Sequence, residues 1–248
     1  MISILVIVII VCSCIAMISM QIYTFKEDSI ALVVATSSAT EISRKRQENL
    51  RKQAKEHRLQ LTEVSYFTED DARQVGISVA LHNNFMKILE IASKTNAKFV
   101  IVAEDDVQFC SNFRYELKQT IDDLPKEWRT LHLCPGYYWG RSKGEPAHTY
   151  RLNPEEYVHP HDEAMRMSER VFRCPVHGNA WGGPIAILLT PSRAADLHSI
   201  LKLSNGTIYD DEFMRIVGDD FDFVARDPQL CYENQQGGSV FEKTMALI

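Results

Sequence analysis

Short apolar runs alternate with helix-forming segments along this chain, and that alternation limits the folds open to it. SIALVVAT (29–36), LQLTEVSYF (59–67), KFVIVA (98–103) and WRTLHLC (128–134) each read as strands. Between the first two lies EISRKRQENLRKQAKEHR (41–58), a charged run of good helix formers whose sparse apolar contacts are Ile42 and Leu50. In GISVALHNNFMKILEIASK, Val79, Phe85, Met86, Leu89 and Ala92 recur at three- and four-residue spacing, which puts an apolar face on a helix. A third helix is expected over 111–124, with Ser111 and Asn112 available as capping residues. Strands alternating with helices build an α/β domain around a largely parallel sheet. GGPIAILLT (182–190) and PSRAADLHSILK (191–202) continue it as a strand and a helix opening on proline. TIYDDEFMRIV is expected as a short helix, and FDFVARDPQL with the tail as strand and loop. Residues 135–169, rich in Gly, Pro, Tyr, His and Glu, read as a long surface excursion.

The chain has 248 residues, enough for one full core, with no internal repeat or low-complexity run. Its net charge of -6 argues against a nucleic-acid partner, whose phosphates call for a basic surface. The first segment departs from this composition. Ile2 to Met20 carries no charge over 19 residues, long enough as a helix to cross the hydrocarbon core of a bilayer. The run is longer than a signal-peptide core and lacks a basic leader, so residues 1–22 are expected as a transmembrane anchor, 23–28 as a linker and 29–248 as the globular domain. Lys26 is offset by Glu27 and Asp28, so flanking charge does not orient the anchor. A single-pass, type II arrangement with the domain in a secretory lumen is the expectation, and a cytoplasm-facing one is the alternative. Cys12 and Cys14 fall in the apolar run. Cys110, Cys134, Cys174 and Cys231 fit either disulfides or free buried thiols, and Asn205-Gly206-Thr207 is a glycosylation sequon.

The chemistry concentrates in KFVIVAEDDVQF. Phe99 to Ala103 and Val107 look like the apolar body of a buried strand, yet Glu104, Asp105 and Asp106 interrupt it. Ligands of open α/β sheets bind beyond the carboxyl ends of the strands. Clustered carboxylates repel one another and are expensive to desolvate, and a hard dication such as Mn²⁺ or Mg²⁺ relieves both costs while keeping positions open for phosphate. Such a metal can neutralise a diphosphate leaving group. A strand end that simply turns into solvent is the bland alternative.

Several segments resemble glycosyltransferase family 25, the lipooligosaccharide and collagen galactosyltransferases. ALVVATSSATEISRKRQENL is similar to the family's opening strand and arginine-bearing helix, although the usual Asn-Leu-Asp after the strand is missing. VGISVALHNNFMKILEIA resembles its Gly-Cys-x-x-Ser-His helix through Gly76 and His82. FVIVAEDDV resembles its Glu-Asp-Asp strand, and GNAWGGPIAILLTPSRAADL its Gly-x-x-(Ala/Gly)-Tyr-x-x-Ser run, with Thr190 where serine is usual. YDDEFM is similar to the family's Asp-Glu-Phe-Leu segment. The likeness spans about residues 30 to 242.

That resemblance implies a GT-A fold, a Rossmann-like sheet with a metal-bound nucleotide sugar at one edge. It implies inverting transfer of a hexose from UDP-galactose or UDP-glucose to a glycan or protein-linked acceptor. Asp106 is the first choice for metal ligand, with Glu104 reaching the ribose or a metal-bound water and Asp105 able to do either. Asp211 is the choice for general base or for a group that supports the metal ligands from behind, with Asp210 and Glu212 as replacements; carboxylates at a helix start also complement its dipole. His82 lies near the donor by resemblance, or is a structural histidine. Arg44 and Arg46 fall where the family has arginines near the nucleotide, or the run to Arg58 is a solvated or membrane-facing basic face. Gly183, beside Trp181 and Gly182, would allow close backbone approach to the donor, or belongs to the core. Asp219, Asp220 and Asp222 read as a solvated turn, and His148, His159, His161 and His177 as acceptor contacts or plain surface. Two other classes fit the residues: an inactive sugar-binding or scaffold protein, and a metal-dependent phosphohydrolase.

Overall fold

A computed structural model describes residues 29–36, 41–65, 77–133, 166–173, 186–203, 222–225 and 230–233. The expected anchor, the linker, most of the 135–169 excursion and the short helix around residue 211 lie outside the described residues. No helix among the described residues is long and apolar enough to cross a membrane.

The alternation becomes a doubly covered sheet. Strand β1 (Ile30–Thr36) leads to helix α1 (Glu41–Glu56), β2 (Gln60–Ser65), α2 (Ile77–Ser93) and β3 (Phe99–Ala103). Then come β4 (Val107–Phe109), α3 (Phe113–Asp122), β5 (Thr130–His132), β6 (Val171–Arg173), β7 (Ala186–Leu189), α4 (Pro191–Leu203), β8 (Asp222–Ala225) and β9 (Cys231–Glu233). Among the described residues, seven strands form one sheet in the order β2-β1-β3-β7-β5-β8-β6, and β4 pairs with β9 in a separate small sheet. Strands β1, β2, β3, β5 and β8 run one way; β7 and β6 run the other, as their antiparallel pairings show. The expected mostly parallel sheet is thus present, with β7 inserted antiparallel between β3 and β5.

Residue parity explains the two layers. Along β1, Ile30, Leu32 and Val34 face one core with Leu50 and Ala54 of α1 and Phe113 and Leu117 of α3. Ala31, Val33 and Ala35 face the other core with Phe85, Leu89 and Ala92 of α2 and Leu197 and Leu201 of α4. Both faces of β1 and β3 are buried, which is why their sequences are continuous apolar runs. Each fully buried Leu or Phe contributes about 1.5–3 kcal/mol relative to exposure.

Four expectations need correction. Val107 does not continue β3: the strand ends at Ala103, the acidic triplet makes a corner, and Val107 opens β4 in the second sheet. The run 44–58 is not a wholly solvated basic face, because Ser43, Arg46, Leu50, Gln53 and Ala54 form a buried stripe at helical spacing. Asn112 precedes α3, but its side chain makes no capping bond; the Asn112 carbonyl instead accepts from the Tyr115 and Glu116 amides. Asp222 opens strand β8 rather than lying in a turn. The proline-led helix is as expected: Thr190 precedes Pro191, and its hydroxyl accepts from the Arg193 amide at 3.2 Å.

The end of α1 is closed by a backbone motif. The Leu59 amide donates to the Ala54 carbonyl and the Arg58 amide to the Lys55 carbonyl, with Arg58 in the left-handed region at φ 54°. This is the Schellman arrangement, and it turns the chain straight into β2.

Candidate active site

The order of the strands locates the site. From β1 the chain moves outward to β2 and then returns to place β3 on β1's opposite side, with α1 and α2 on opposite faces. The crevice between the carboxyl ends of β1 and β3 is therefore a topological switch point, the usual ligand position in such sheets. Val34 pairs with Ala103, so β1 continues for two residues beside the start of the triplet.

The three carboxylates part ways at this corner. Glu104 is exposed, while its carbonyl accepts the Val107 amide at 3.4 Å. Asp105 and Asp106 turn inward, with side chains 13% and 8% exposed. Arg46, itself 9% exposed, reaches both: its Nη1 lies 3.1 Å from Asp105 Oδ1 and 3.3 Å from Asp106 Oδ2. Burial pushes the Asp105 carboxyl above the usual aspartate range, against the opposing pull of the Arg46 guanidinium. One cationic centre thus draws one oxygen from each of two adjacent carboxylates.

Helix α1 holds the corner from the side. The Gln53 amide donates to the Val107 carbonyl at 3.1 Å, and its oxygen accepts from the Phe109 amide at 2.7 Å. Gln53 thereby supplies a ladder rung along the edge of β4 that faces away from β9. Asn49 donates to the Gln108 side chain at 3.0 Å, and Gln47 to the Thr36 hydroxyl at 3.0 Å. Arg46, Leu50 and Gln53 lie within two turns of one helix face, so the contacts that seat α1 also aim Arg46.

Arg46 rather than Arg44 is the arginine that meets the triplet; Arg44 is exposed. His82 is buried on α2, across the sheet from Arg46, and burial lowers its pKa and favours neutral imidazole. Gly183, Trp181, Asp210, Asp211 and Glu212 lie outside the described residues. Cys110 is a free thiol and Cys231 is buried; Cys134 and Cys174 lie outside the described residues. Gln53 and His132 escaped the sequence reading. Gln53 was legible only if polar residues at 43, 46 and 53 were allowed beside Leu50 and Ala54 on an inward helix face. His132 lies fully buried in β5 beside Ile187 and Val224, and burial lowers its pKa to about 4.

Among the described residues no group of three His, Cys, Asp or Glu side chains is placed to hold a metal ion. Asp105 and Asp106 nevertheless suit part of a ligand set for Mg²⁺ or Mn²⁺. They are hard oxygen donors that already converge on a cation, the Arg46 guanidinium.

No family model matches the chain, and no curated protein matches it. Among solved structures it is similar to a glycosyltransferase involved in the glycosylation of the major capsid of PBCV-1, at 10% identity and TM-score 0.46 over 87% of this chain and 99% of that one. It is similar to S. aureus TarS 1–349 at 12% identity and TM-score 0.45 over 88% of this chain, and that TarS fragment also has a structure in complex with UDP-GlcNAc. A third is the glycosyltransferase GlyE of Streptococcus pneumoniae TIGR4, at 9% identity and TM-score 0.41 over 81% of this chain. The chain spans 64% of the TarS fragment and 46% of GlyE. With every TM-score below 0.5, these likenesses carry no argument for the chemistry of this chain, whose α/β architecture stands on its own strand order and pairing.

Proposed function

We propose that this chain is a metal-dependent, inverting glycosyltransferase of GT-A type that moves a hexose, galactose or glucose, from a UDP-sugar to a glycan or protein-linked acceptor. The observation that carries the reading is the pair Asp105–Asp106, turned inward at the switch point of the sheet and drawn together on one cation. Mn²⁺ or Mg²⁺ held there would supply charge neutralisation for the departing diphosphate. Asp106, the more buried of the pair, binds that ion and Asp105 shares the task, while Glu104, turned outward, reaches the ribose. Inversion is a single displacement, so the acceptor hydroxyl attacks opposite the diphosphate and a base must lie across the sugar. Asp211 takes that role, with Asp210 and Glu212 beside it. Holding donor and acceptor in line supplies much of the remaining rate. Residues 1–22 anchor the domain to a membrane, with 29–248 in the secretory lumen.

A second reading has its own support. Arg46 already compensates both aspartates, as it would in a structural ion pair of a sugar-binding or scaffold protein without catalysis. A panel of nucleotide sugars, assayed for hydrolysis and transfer with and without Mn²⁺, tests the two. Mn²⁺-dependent transfer supports the enzyme. Failure of Mn²⁺ and UDP to bind together, measured by calorimetry, supports the scaffold. Release of UMP and sugar 1-phosphate in preference to transfer marks a phosphohydrolase.

A further inference from the structure

The acidic corner holds its own cation, and that cation sits on one oxygen of each inward-turned aspartate. Arg46 Nη1 lies 3.1 Å from Asp105 Oδ1 and 3.3 Å from Asp106 Oδ2, with all three side chains nearly buried. We propose that Arg46 is an exchangeable stand-in: it holds Asp105 and Asp106 converged until a divalent cation arrives, and then gives up its place to that ion. The inference rests on the reading of the corner as a dication site.

Three features support exchange over simple pairing. Two neighbouring buried carboxylates without a counter-charge repel, and the guanidinium holds one oxygen of each aimed at one point. A guanidinium and a dication cannot share the same two oxygens, because they repel at contact distance in a poorly solvated site. The exchange is also confined to one side chain. Gln53 ties α1 to β4 through two buried hydrogen bonds, Asn49 holds Gln108, and Leu50 is fully buried between them. The helix therefore stays seated, and Arg46 leaves by rotating its own flexible stem.

The sign of the effect separates this role from a structural one. Mn²⁺ is titrated in the absence of nucleotide, by calorimetry or by loss of the free-ion paramagnetic resonance signal, into the unaltered chain, Arg46→Gln and Arg46→Lys. Removing a competing positive charge at contact distance should tighten Mn²⁺ binding by Arg46→Gln at least about tenfold. Its melting temperature without metal should fall and then recover as Mn²⁺ is added. Arg46→Lys, which keeps the charge, should bind Mn²⁺ much as the unaltered chain does. Equal or weaker binding by Arg46→Gln overturns the exchange while leaving the dication site standing. Absence of Mn²⁺ binding by the unaltered chain, with or without UDP, overturns both. Should Arg46→Gln not fold, ¹⁵N spectra of the unaltered chain decide: the Arg46 Nε–H signal, assigned with Arg46→Lys, should move toward that of exposed Arg44 as Mg²⁺ is added. A signal that stays fixed on Mg²⁺ saturation overturns the exchange.

Discussion

Replacing Gln53 with leucine should destabilise the domain far more than a glutamine-to-leucine change on a helix ordinarily does. The side chain makes two buried hydrogen bonds to β4, donating to the Val107 carbonyl at 3.1 Å and accepting from the Phe109 amide at 2.7 Å. Leucine has nearly the same volume, so the packing of α1 against Val107 and Phe109 survives and little cavity opens. What is lost is the partner of two backbone groups on the strand edge away from β9. Each buried group left unsatisfied costs about 1–3 kcal/mol, and the extra apolar burial of leucine offsets part of that, for a net loss of roughly 2–4 kcal/mol. For a chain of this length such a loss lowers the melting temperature by roughly 5–15 °C. Urea unfolding followed by circular dichroism measures it directly, and the midpoint should move while the slope stays fixed. A midpoint equal to that of the unaltered chain would show that the two bonds contribute nothing net, and would refute the view that Gln53 seats α1 on β4.

Three further outcomes are expected. Asp106→Asn should abolish turnover and Mn²⁺-dependent UDP binding while circular dichroism shows the fold retained, since Arg46 still has Asp105; retained activity removes the metal role of Asp106. Acidification should destabilise the domain through His132, whose pKa drops from 6.5 in the unfolded chain to about 4 when buried. Between those values the unfolded chain holds the proton and the folded one does not, so stability is fully present above pH 6.5 and falls as pH drops toward 4, by about 3 kcal/mol in all. His132→Leu should flatten the slope of unfolding free energy against pH across that window, and an unchanged slope would contradict the assignment. Arg58→Gly should raise stability by about 1 kcal/mol, since glycine takes a positive φ without the Cβ clash arginine suffers; a lower unfolding midpoint would mean that the Arg58 side chain earns more than its backbone strain.

The polar contacts of the corner were hidden from the sequence for a definable reason. Apolar periodicity reports which face of a segment is buried, and it placed α2 well, where Phe85, Leu89 and Ala92 all face the core. It failed for α1, whose buried stripe contains Ser43, Arg46 and Gln53 and so looks solvated to any reading that equates polar with exposed. The choice between Arg44 and Arg46 was equally unreadable. The two differ by about half a turn of helix, and only the seating of α1 on β4 decides which one points inward.

The amino-acid order by itself determined the alternating architecture, the buried runs of β1 and β3, the proline start of α4 and the presence of three carboxylates where β3 ends. These are local matters, set by side-chain spacing and backbone preference within a dozen residues. Tertiary structure decided that Glu104 faces outward while Asp105 and Asp106 face inward, that β7 enters antiparallel between β3 and β5, and that a cation from 59 residues away closes the corner. Those outcomes depend on which helix lies over which strand end. Charge pairing acts through space, and spacing along the chain carries no record of it.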